Sequence, residues 1–279
     1  MGKRRAPHSP RAAVPPARAA PSGREGGHDA RGIGEQREAS PTLAGAAAGL
    51  AGGKVHRVAL NVLAVSAHAD DETLGCGGTL LRHRDRGDAI HWLVVTDAWE
   101  GGRWSTETIA ERDAQIDRVA ETYGARELTR LGHPAGRLDT VAVADVMDGI
   151  GGAVARARPE VVYLVHPGDV HTDHGATFRA TMSVLKPFHL RRLGVRRVLA
   201  YETLSSADAA AIPSFVPNVH ADISAWLERK LEVMAMYATE LQPEPLPRSA
   251  SAIRALARYR GATIGVEYAE ALVFIRALL

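Results

Sequence analysis

Apolar runs alternate with amphipathic segments along the chain from residue 56 onward. VALNVLAVS (58–66), IHWLVVT (90–96) and VVYLV (161–165) have the length and composition of buried strands. TETIAERDAQIDRVAETYG (106–124) places its apolar residues on one helical face and ends at Gly124, as an amphipathic helix with a glycine cap does. This alternation predicts an α/β fold: a Rossmann-like, mostly parallel sheet with helices on both faces.

Weaker segments continue the same series. We expect further helices over 79–87, 140–159, 174–185, 224–238 and 249–260, strands over 127–131 and 197–202, and a short apolar segment at 271–275. No internal repeat is visible. The body of the chain, residues 54–279, is therefore predicted to form a single domain.

Residues 1–53 differ in composition from the body. They consist mainly of Ala, Gly, Pro and Arg and carry almost no large apolar side chains. Burial could not offset the entropy lost when such a segment becomes ordered, so we predict a disordered extension. Its LAGAAAGLAGG stretch (43–53) lacks the strongly apolar core of a secretion signal, and we expect no targeting function.

The bulk composition narrows the classes of function. Hydrophobic residues make up 46% and charged residues 24% of the chain, as in ordinary globular proteins. No apolar run is long enough to span a membrane, so stable membrane insertion is not expected. The extension holds eight Lys or Arg and four Asp or Glu, so it carries a charge of +4, whereas the whole chain carries +2. The body is therefore slightly acidic, at −2, which argues against nucleic-acid binding. The single cysteine, Cys76, excludes an intramolecular disulfide and favours the cytoplasm.

Two polar clusters directly follow two of the predicted strands. SAHADDETLGCGG (66–78) comes after the first strand, and HPGDVHTDH (166–174) follows VVYLV. Each cluster alone has an ordinary explanation, because consecutive acids often mark a solvated turn or a helix N-terminus. Ligands of parallel sheets bind outside the carboxyl ends of the strands, so both clusters are expected at one edge of the sheet. Together they favour a metal site.

Zinc chemistry assigns roles to individual residues of these clusters. A catalytic zinc ion needs three protein ligands and one open position. His68 and Asp71 could reach one ion together, and His174 could supply the third ligand. Asp70 would then lie beside the ion, where it could accept a proton from water, whereas Glu72 is expected to be a helix-start acid or a supporting residue. Two histidines and a carboxylate also suit Fe²⁺.

The remaining polar residues of the second cluster suggest a second catalytic element. His171 and Asp173 would form an acid–imidazole pair that polarises or protonates the substrate. The glycines of LGCGGTL (74–80) do not fit a nucleotide-binding pattern, so we expect them to permit close packing of a helix on the sheet. Cys76 is expected to be a small buried residue in that glycine turn.

These motifs resemble those of a known family. AHADDETLGCGGTL resembles the AHPDDE-x-L-G-x-G-G signature of the PIG-L or LmbE-like deacetylases, and HTDH matches their second motif. RLDT (137–140), YETLS (201–205) and the segment 247–272 extend the resemblance to the C-terminus. It implies an LmbE-like fold and a zinc-dependent removal of N-acetyl groups from N-acetylglucosamine-type sugars. It also implies residue roles: zinc on His68, Asp71 and His174, Asp70 as general base, and His171 as acid or electrophile supported by Asp173.

The resemblance also suggests where the substrate binds. Arg112 falls where such enzymes often hold the polar part of a sugar, whereas Ala135 replaces a commonly acidic residue that contacts sugar hydroxyls. Arg103 and Trp99, in the loop after IHWLVVT, are candidate substrate contacts in compensation. We expect a small amino-sugar substrate that is free, nucleotide-linked or part of a glycosylated natural product. The alternatives are an amidase acting on thiol-sugar conjugates and a non-catalytic sugar-binding module, and a homo-oligomer stays open.

Overall fold

The structure is a computed structural model that describes residues 58–101, 104–211 and 215–278. The extension predicted over residues 1–53 lies outside the described residues. The strands are β1 (Asn61–Ser66), β2 (Ala89–Asp97), β3 (Ala125–Pro134), β4 (Val161–Val165), β5 (Arg197–Tyr201), β6 (Val219–Asp222) and β7 (Ala269–Ala277). The helices are α1 (Asp71–Asp85), α2 (Thr106–Tyr123), α3 (Val143–Ala157), α4 (Thr172–Val184), α5 (Pro187–Leu193), α6 (Leu227–Met236) and α7 (Ala250–Ala262), with a 3₁₀ turn at Leu138–Thr140.

The seven strands form one sheet in the order β3-β2-β1-β4-β5-β7-β6. Strands β1 to β5 run parallel to one another, whereas β7 runs antiparallel to both of its neighbours, β5 and β6. Strand order reverses between β1 and β4, which leaves a crevice outside their carboxyl ends. The two polar clusters follow β1 and β4, so the topology brings them to this crevice.

Helices cover both faces of the sheet, as predicted. Val62 and Ala64 of β1 belong to the core beneath α1, α2, α6 and α7, whereas Leu63 and Val65 belong to the core beneath α3, α4 and α5. This alternation follows from the two-residue period of a strand. All five residues of β4 are buried, as expected for a central parallel strand.

Helix α1 begins earlier than the sequence pattern predicts. It starts at Asp71 rather than residue 79, and it contains the glycines and a kink at Cys76, whose φ is −143°. Cys76 is buried, as predicted, but it lies in the helix rather than in a glycine turn. A Cβ atom on Gly75 would lie 2.1 Å from Cδ2 of Tyr201, so the predicted close packing of helix on sheet is confirmed.

A buried ion pair supports the two halves of the kinked helix α1. The backbone N–H groups of Gly78 and Thr79, which start the second half, each donate to the Glu270 carboxylate at 2.8 Å. Lys230 donates to the same carboxylate at 2.7 Å and to the carbonyl oxygen of Leu74, at the end of the first half, at 2.9 Å. Lys230 and Glu270 therefore act as caps inside one helix.

The C-terminal third differs most from the prediction. The apolar segment at 271–275 is the centre of strand β7, and β6 and α5 have no counterpart in the sequence pattern. Helix α3 ends at Ala157 rather than at the predicted proline, because Arg158 adopts the left-handed conformation (φ 43°) that closes it. No helix in the described part of the chain combines the length and apolar character that crossing a bilayer requires.

Candidate active site

The three predicted ligand residues meet in the crevice between β1 and β4. Nδ1 of His68 lies 3.2 Å from Nε2 of His174. Oδ2 of Asp71 lies 3.6 Å from the first of these nitrogens, and Oδ1 of the same carboxylate lies 3.3 Å from the second. Ligands held at about 2.0–2.1 Å in a tetrahedron are about 3.3–3.4 Å apart. The donor set and its spacing therefore fit a single divalent ion.

Carboxylates behind the two imidazoles fix which ring nitrogens face each other. Nε2 of His68 lies 3.0 Å from Oδ2 of Asp173, and Nδ1 of His174 lies 2.9 Å from Oδ2 of Asp169. Each ring therefore presents its other nitrogen to the centre of the cluster. Asp173 is placed to hydrogen-bond the far nitrogen of His68, and Asp169 lies at ion-pair distance from that of His174; carboxylates in this position are the usual support of metal-binding imidazoles.

The electrostatics of the cluster also favour a cation. Burial acts to lower the pKa of His68, but Asp173 and Asp71 raise it to about 9. Burial likewise acts against His174, whose pKa Asp71 and Asp169 raise to about 10. Burial alone would raise the pKa of Asp71, yet the adjacent imidazoles hold it well below its ordinary value. The carboxylates thus create a site that stabilises positive charge.

A second set of three residues, with His171 in place of Asp71, could also bind a metal ion. One ring nitrogen from each of His68, His171 and His174 lies within 4.8 Å of the others. However, His171 is the N-cap of α4, and its Nδ1 accepts the backbone N–H of Asp173 at 3.2 Å. We favour the set with Asp71, because that buried carboxylate lies between the facing nitrogens of His68 and His174, whereas one ring nitrogen of His171 is already bonded to a backbone N–H.

The predicted pairing of Asp173 with His171 is not formed. Oδ2 of Asp173 accepts the N–H of Gly136 at 2.6 Å and faces His68, and its Oδ1 accepts the N–H of Leu138 at 3.1 Å. Only the backbone N–H of Asp173 reaches the His171 ring. Because His171 is the N-cap residue, its ring folds back over the N-terminus of α4, whereas the side chain of Asp173 points toward His68.

His171 is set up as a neutral hydrogen-bond donor. Burial lowers its pKa, and the neighbouring His68 and His174 rings act in the same direction. Because its Nδ1 accepts a backbone N–H, the proton of the neutral ring resides on Nε2. His171 also lines the pocket described below, where such a donor can meet a substrate oxygen.

Asp70 lies beside the cluster in a strained backbone conformation. Its φ of 130° is rare for a residue with a side chain, and its N–H donates to the buried carboxylate of Glu72 at 3.3 Å. Glu72 also accepts from Tyr237 at 2.8 Å, so it supports the turn, as expected. Burial, Asp71 and Glu240 raise the pKa of Asp70 to about 8.

Asp70 is held by a series of ion pairs that begins with a residue from the C-terminal part of the sequence. Nη1 of Arg248 donates to Oδ2 of Asp70 at 3.0 Å and to Glu240 at 2.8 Å. Arg112 pairs with the same glutamate and donates to Thr239 at 2.8 Å. Arg248 lies in the segment 247–272 that carries part of the resemblance, but neither it nor Glu240 received a role from the sequence, because its local pattern does not show which distant residue it contacts.

The cluster forms the floor of a pocket of about 770 Å³. Trp99 and Arg112, both predicted substrate contacts, lie in its wall, whereas Arg103 lies outside the described residues. The guanidinium of Arg112 stacks over Trp104 at 4.9 Å from the ring centroid. The volume falls in the range of about 300–1,000 Å³ that is typical of small-molecule sites.

Comparisons with known proteins agree with the motifs. The sequence pattern of the PIG-L family, described as GlcNAc-PI de-N-acetylase, matches residues 63–185. An uncharacterised deacetylase, YaiS, of Escherichia coli K12 is 26% identical over 167 residues, which cover 58% of this chain and 81% of that protein. The diacetylchitobiose deacetylase of Thermococcus kodakarensis is 25% identical over 222 residues, covering 77% and 82% of the two chains. The conserved protein TT1542 of Thermus thermophilus superposes with a TM-score of 0.64 at 29% identity, over 79% of this chain and 96% of that one.

Proposed function

We propose that this chain, which belongs to the PIG-L family, is a metal-dependent hydrolase that removes the N-acetyl group from an N-acetylglucosamine-type sugar. One observation carries the proposal: His68, Asp71 and His174 converge at ion-binding distances on the floor of a sugar-sized pocket, with Asp70 and His171 beside them. The names of the relatives, which include a diacetylchitobiose deacetylase, support the choice of substrate class.

His68, Asp71 and His174 would hold the ion, and Zn²⁺ or Fe²⁺ suits two histidines and a carboxylate. Such an ion, when bound, polarises the acetyl carbonyl and makes water a stronger acid. Asp169 and Asp173 keep the two imidazoles in the orientation that this requires.

The residues around the cluster divide the proton transfers between them. Asp70 takes a proton from the attacking water while the water oxygen bonds to the acetyl carbon, and Arg248 keeps the Asp70 carboxylate in position. His171 donates the hydrogen bond of its Nε2–H to the carbonyl oxygen as negative charge develops there. The C–N bond then breaks, and the proton held by Asp70 passes to the leaving nitrogen. The products are acetate and a free amino sugar.

Acetate release from a panel of N-acetylated sugars tests this function. The panel should include N-acetylglucosamine, diacetylchitobiose, a UDP-linked N-acetylated sugar and an N-acetylated thiol-sugar conjugate. Each sugar is assayed with the protein loaded with Zn²⁺ or with Fe²⁺. Asp70→Ala should keep the metal and lose about 10²–10⁴-fold in kcat, whereas His174→Ala should lose the metal. The exposed Asp222→Ala is the control.

Two results would overturn the proposal. One is near-normal acetate release by both active-site variants. The other is a metal-loaded chain that releases acetate from none of the sugars, which would favour a binding module. A cytoplasmic location stays a prediction from the single cysteine.

A further inference from the structure

Arg137 is anchored directly to the candidate active site by its own backbone. It lies between β3 and the 3₁₀ turn, and both flanking N–H groups, those of Gly136 and Leu138, donate to the Asp173 carboxylate. The same carboxylate contacts the His68 ring at 3.0 Å. The side chain of Asp173 thus links the backbone around Arg137 to His68, a proposed metal ligand. The backbone at Arg137 is therefore hydrogen-bonded to the same carboxylate that contacts the ion-binding cluster.

The side chain of Arg137 is exposed and lines the same pocket as the cluster. Its guanidinium lies 5.2 Å from the centroid of the Trp99 ring, within the range of a cation–π contact. The indole N–H of Trp99 donates to the carbonyl oxygen of Ala135 at 3.4 Å, which ties the ring to the same turn. The stacked ring limits the orientations of the guanidinium before any substrate arrives, which lowers the entropy lost on binding.

Charge distinguishes Arg137 from the other arginines of the pocket. Arg112 and Arg248 both pair with Glu240, and Arg248 pairs with Asp70 as well. Arg137 forms no ion pair with any carboxylate of the chain as far as the structure describes it. Its planar fork of N–H donors therefore faces the pocket without an anionic partner. Such a fork matches the paired oxygens of a carboxylate or phosphate.

We propose that Arg137, supported by Trp99, is a subsite for an anionic oxygen group, so that the preferred substrate is an N-acetylated amino sugar bearing a carboxylate or a phosphate. This inference rests on the proposed deacetylase function and adds the class of substituent. The pocket volume of about 770 Å³ leaves room beside a sugar ring for such a group.

Matched pairs of substrates test the subsite. Methyl N-acetylglucosaminide is the neutral reference, N-acetylglucosamine 1-phosphate and 6-phosphate carry phosphate at two positions, and N-acetylmuramic acid carries a carboxylate. We expect kcat/KM to be at least about tenfold higher for one or more of the anionic sugars, in keeping with a charge-assisted pair. Whichever anionic sugar shows the gain identifies the group and its position.

Variants at Arg137 separate the subsite from general effects on the enzyme. Arg137→Met should lower kcat/KM for the preferred anionic sugar by about 10–100-fold, mainly through KM, and leave the neutral sugar nearly unchanged. Arg137→Lys should recover part of the loss, because it keeps the charge without the fork. Arg126→Met, on the exposed side of β3 and outside the pocket lining, is the matched control and should not discriminate.

Calorimetric titration with glucosamine 6-phosphate and glucosamine 1-phosphate separates this inference from the proposed function. These compounds are the deacetylated products, so their binding can be measured without any catalytic turnover. Binding that weakens in Arg137→Met would support the subsite even if no sugar releases acetate. Equal kcat/KM for neutral and anionic sugars, with no discrimination by the variant, would overturn the subsite while the deacetylase function stands. A lack of both acetate release and Arg137-dependent binding would overturn both.

Discussion

Replacing Asp173 with asparagine tests how this carboxylate acts. Its two oxygens accept the N–H groups of Gly136 and Leu138 and face Nε2 of His68. An amide keeps one acceptor oxygen and brings an NH₂ group. In one orientation the NH₂ meets the N–H of Leu138, and in the other it meets both the N–H of Gly136 and the His68 ring. Asp173→Asn therefore places at least one donor against another in a fully buried position.

The expected effect on metal affinity can be worked from these contacts. A buried donor left without its acceptor costs about 1–3 kcal/mol. If that cost falls on the orientation of His68, the Kd for Zn²⁺ should rise about 10–100-fold, as observed when carboxylates behind metal-binding histidines are replaced. The rise corresponds to about 1.4–2.7 kcal/mol, so the two estimates agree. The predicted role is therefore in holding the ion.

The assay is a Zn²⁺ titration of the Asp173→Asn chain against a chromophoric chelator, with Tm measured alongside to verify folding. Asp222→Asn is the control, because this exposed aspartate also accepts a backbone N–H and a hydroxyl, both from Ser224. Its Kd should change by less than about threefold. If Asp173→Asn binds Zn²⁺ as tightly as the unmodified chain but loses turnover, Asp173 acts through His171 and the reasoning is refuted.

Three further predictions concern stability and metal. In a urea titration, Lys230→Met should lower the free energy of unfolding by about 3–5 kcal/mol, because it leaves a buried carboxylate without its cation. Arg229→Met, at an exposed position of the same helix, should change the free energy of unfolding by less than about 0.5 kcal/mol. Similar losses in the two variants would contradict the prediction. Gly75→Ala should destabilise the fold through overlap with an aromatic ring, whereas Gly151→Ala, which meets open space in α3, should stabilise it by about 0.5–1 kcal/mol in thermal unfolding. Chelator treatment should lower Tm and added Zn²⁺ should restore it; a Tm indifferent to both would argue against a bound ion.

The parallel part of the sheet could be predicted because its evidence is local. Each buried strand is a short apolar run, and each helix on the sheet repeats its apolar residues with a helical period. The topology rule for parallel strands then brought the residues after β1 and β4 to one edge, so the meeting of His68, Asp71 and His174 followed from the chain alone. The antiparallel edge was missed, because β6 is four residues long and has no clear alternation.

The sequence by itself determined the fold class, the two polar clusters and the chemical types that they bring together. Only the tertiary structure decided that Asp173 supports His68 rather than His171, that Arg248 and Glu240 hold Asp70, and that the glycines lie inside a kinked helix. The reason is physical. Hydrophobic period and strand order depend on neighbours along the chain, whereas the partner of a buried carboxylate depends on which distant N–H groups and rings the packed loops place within about 3 Å of it.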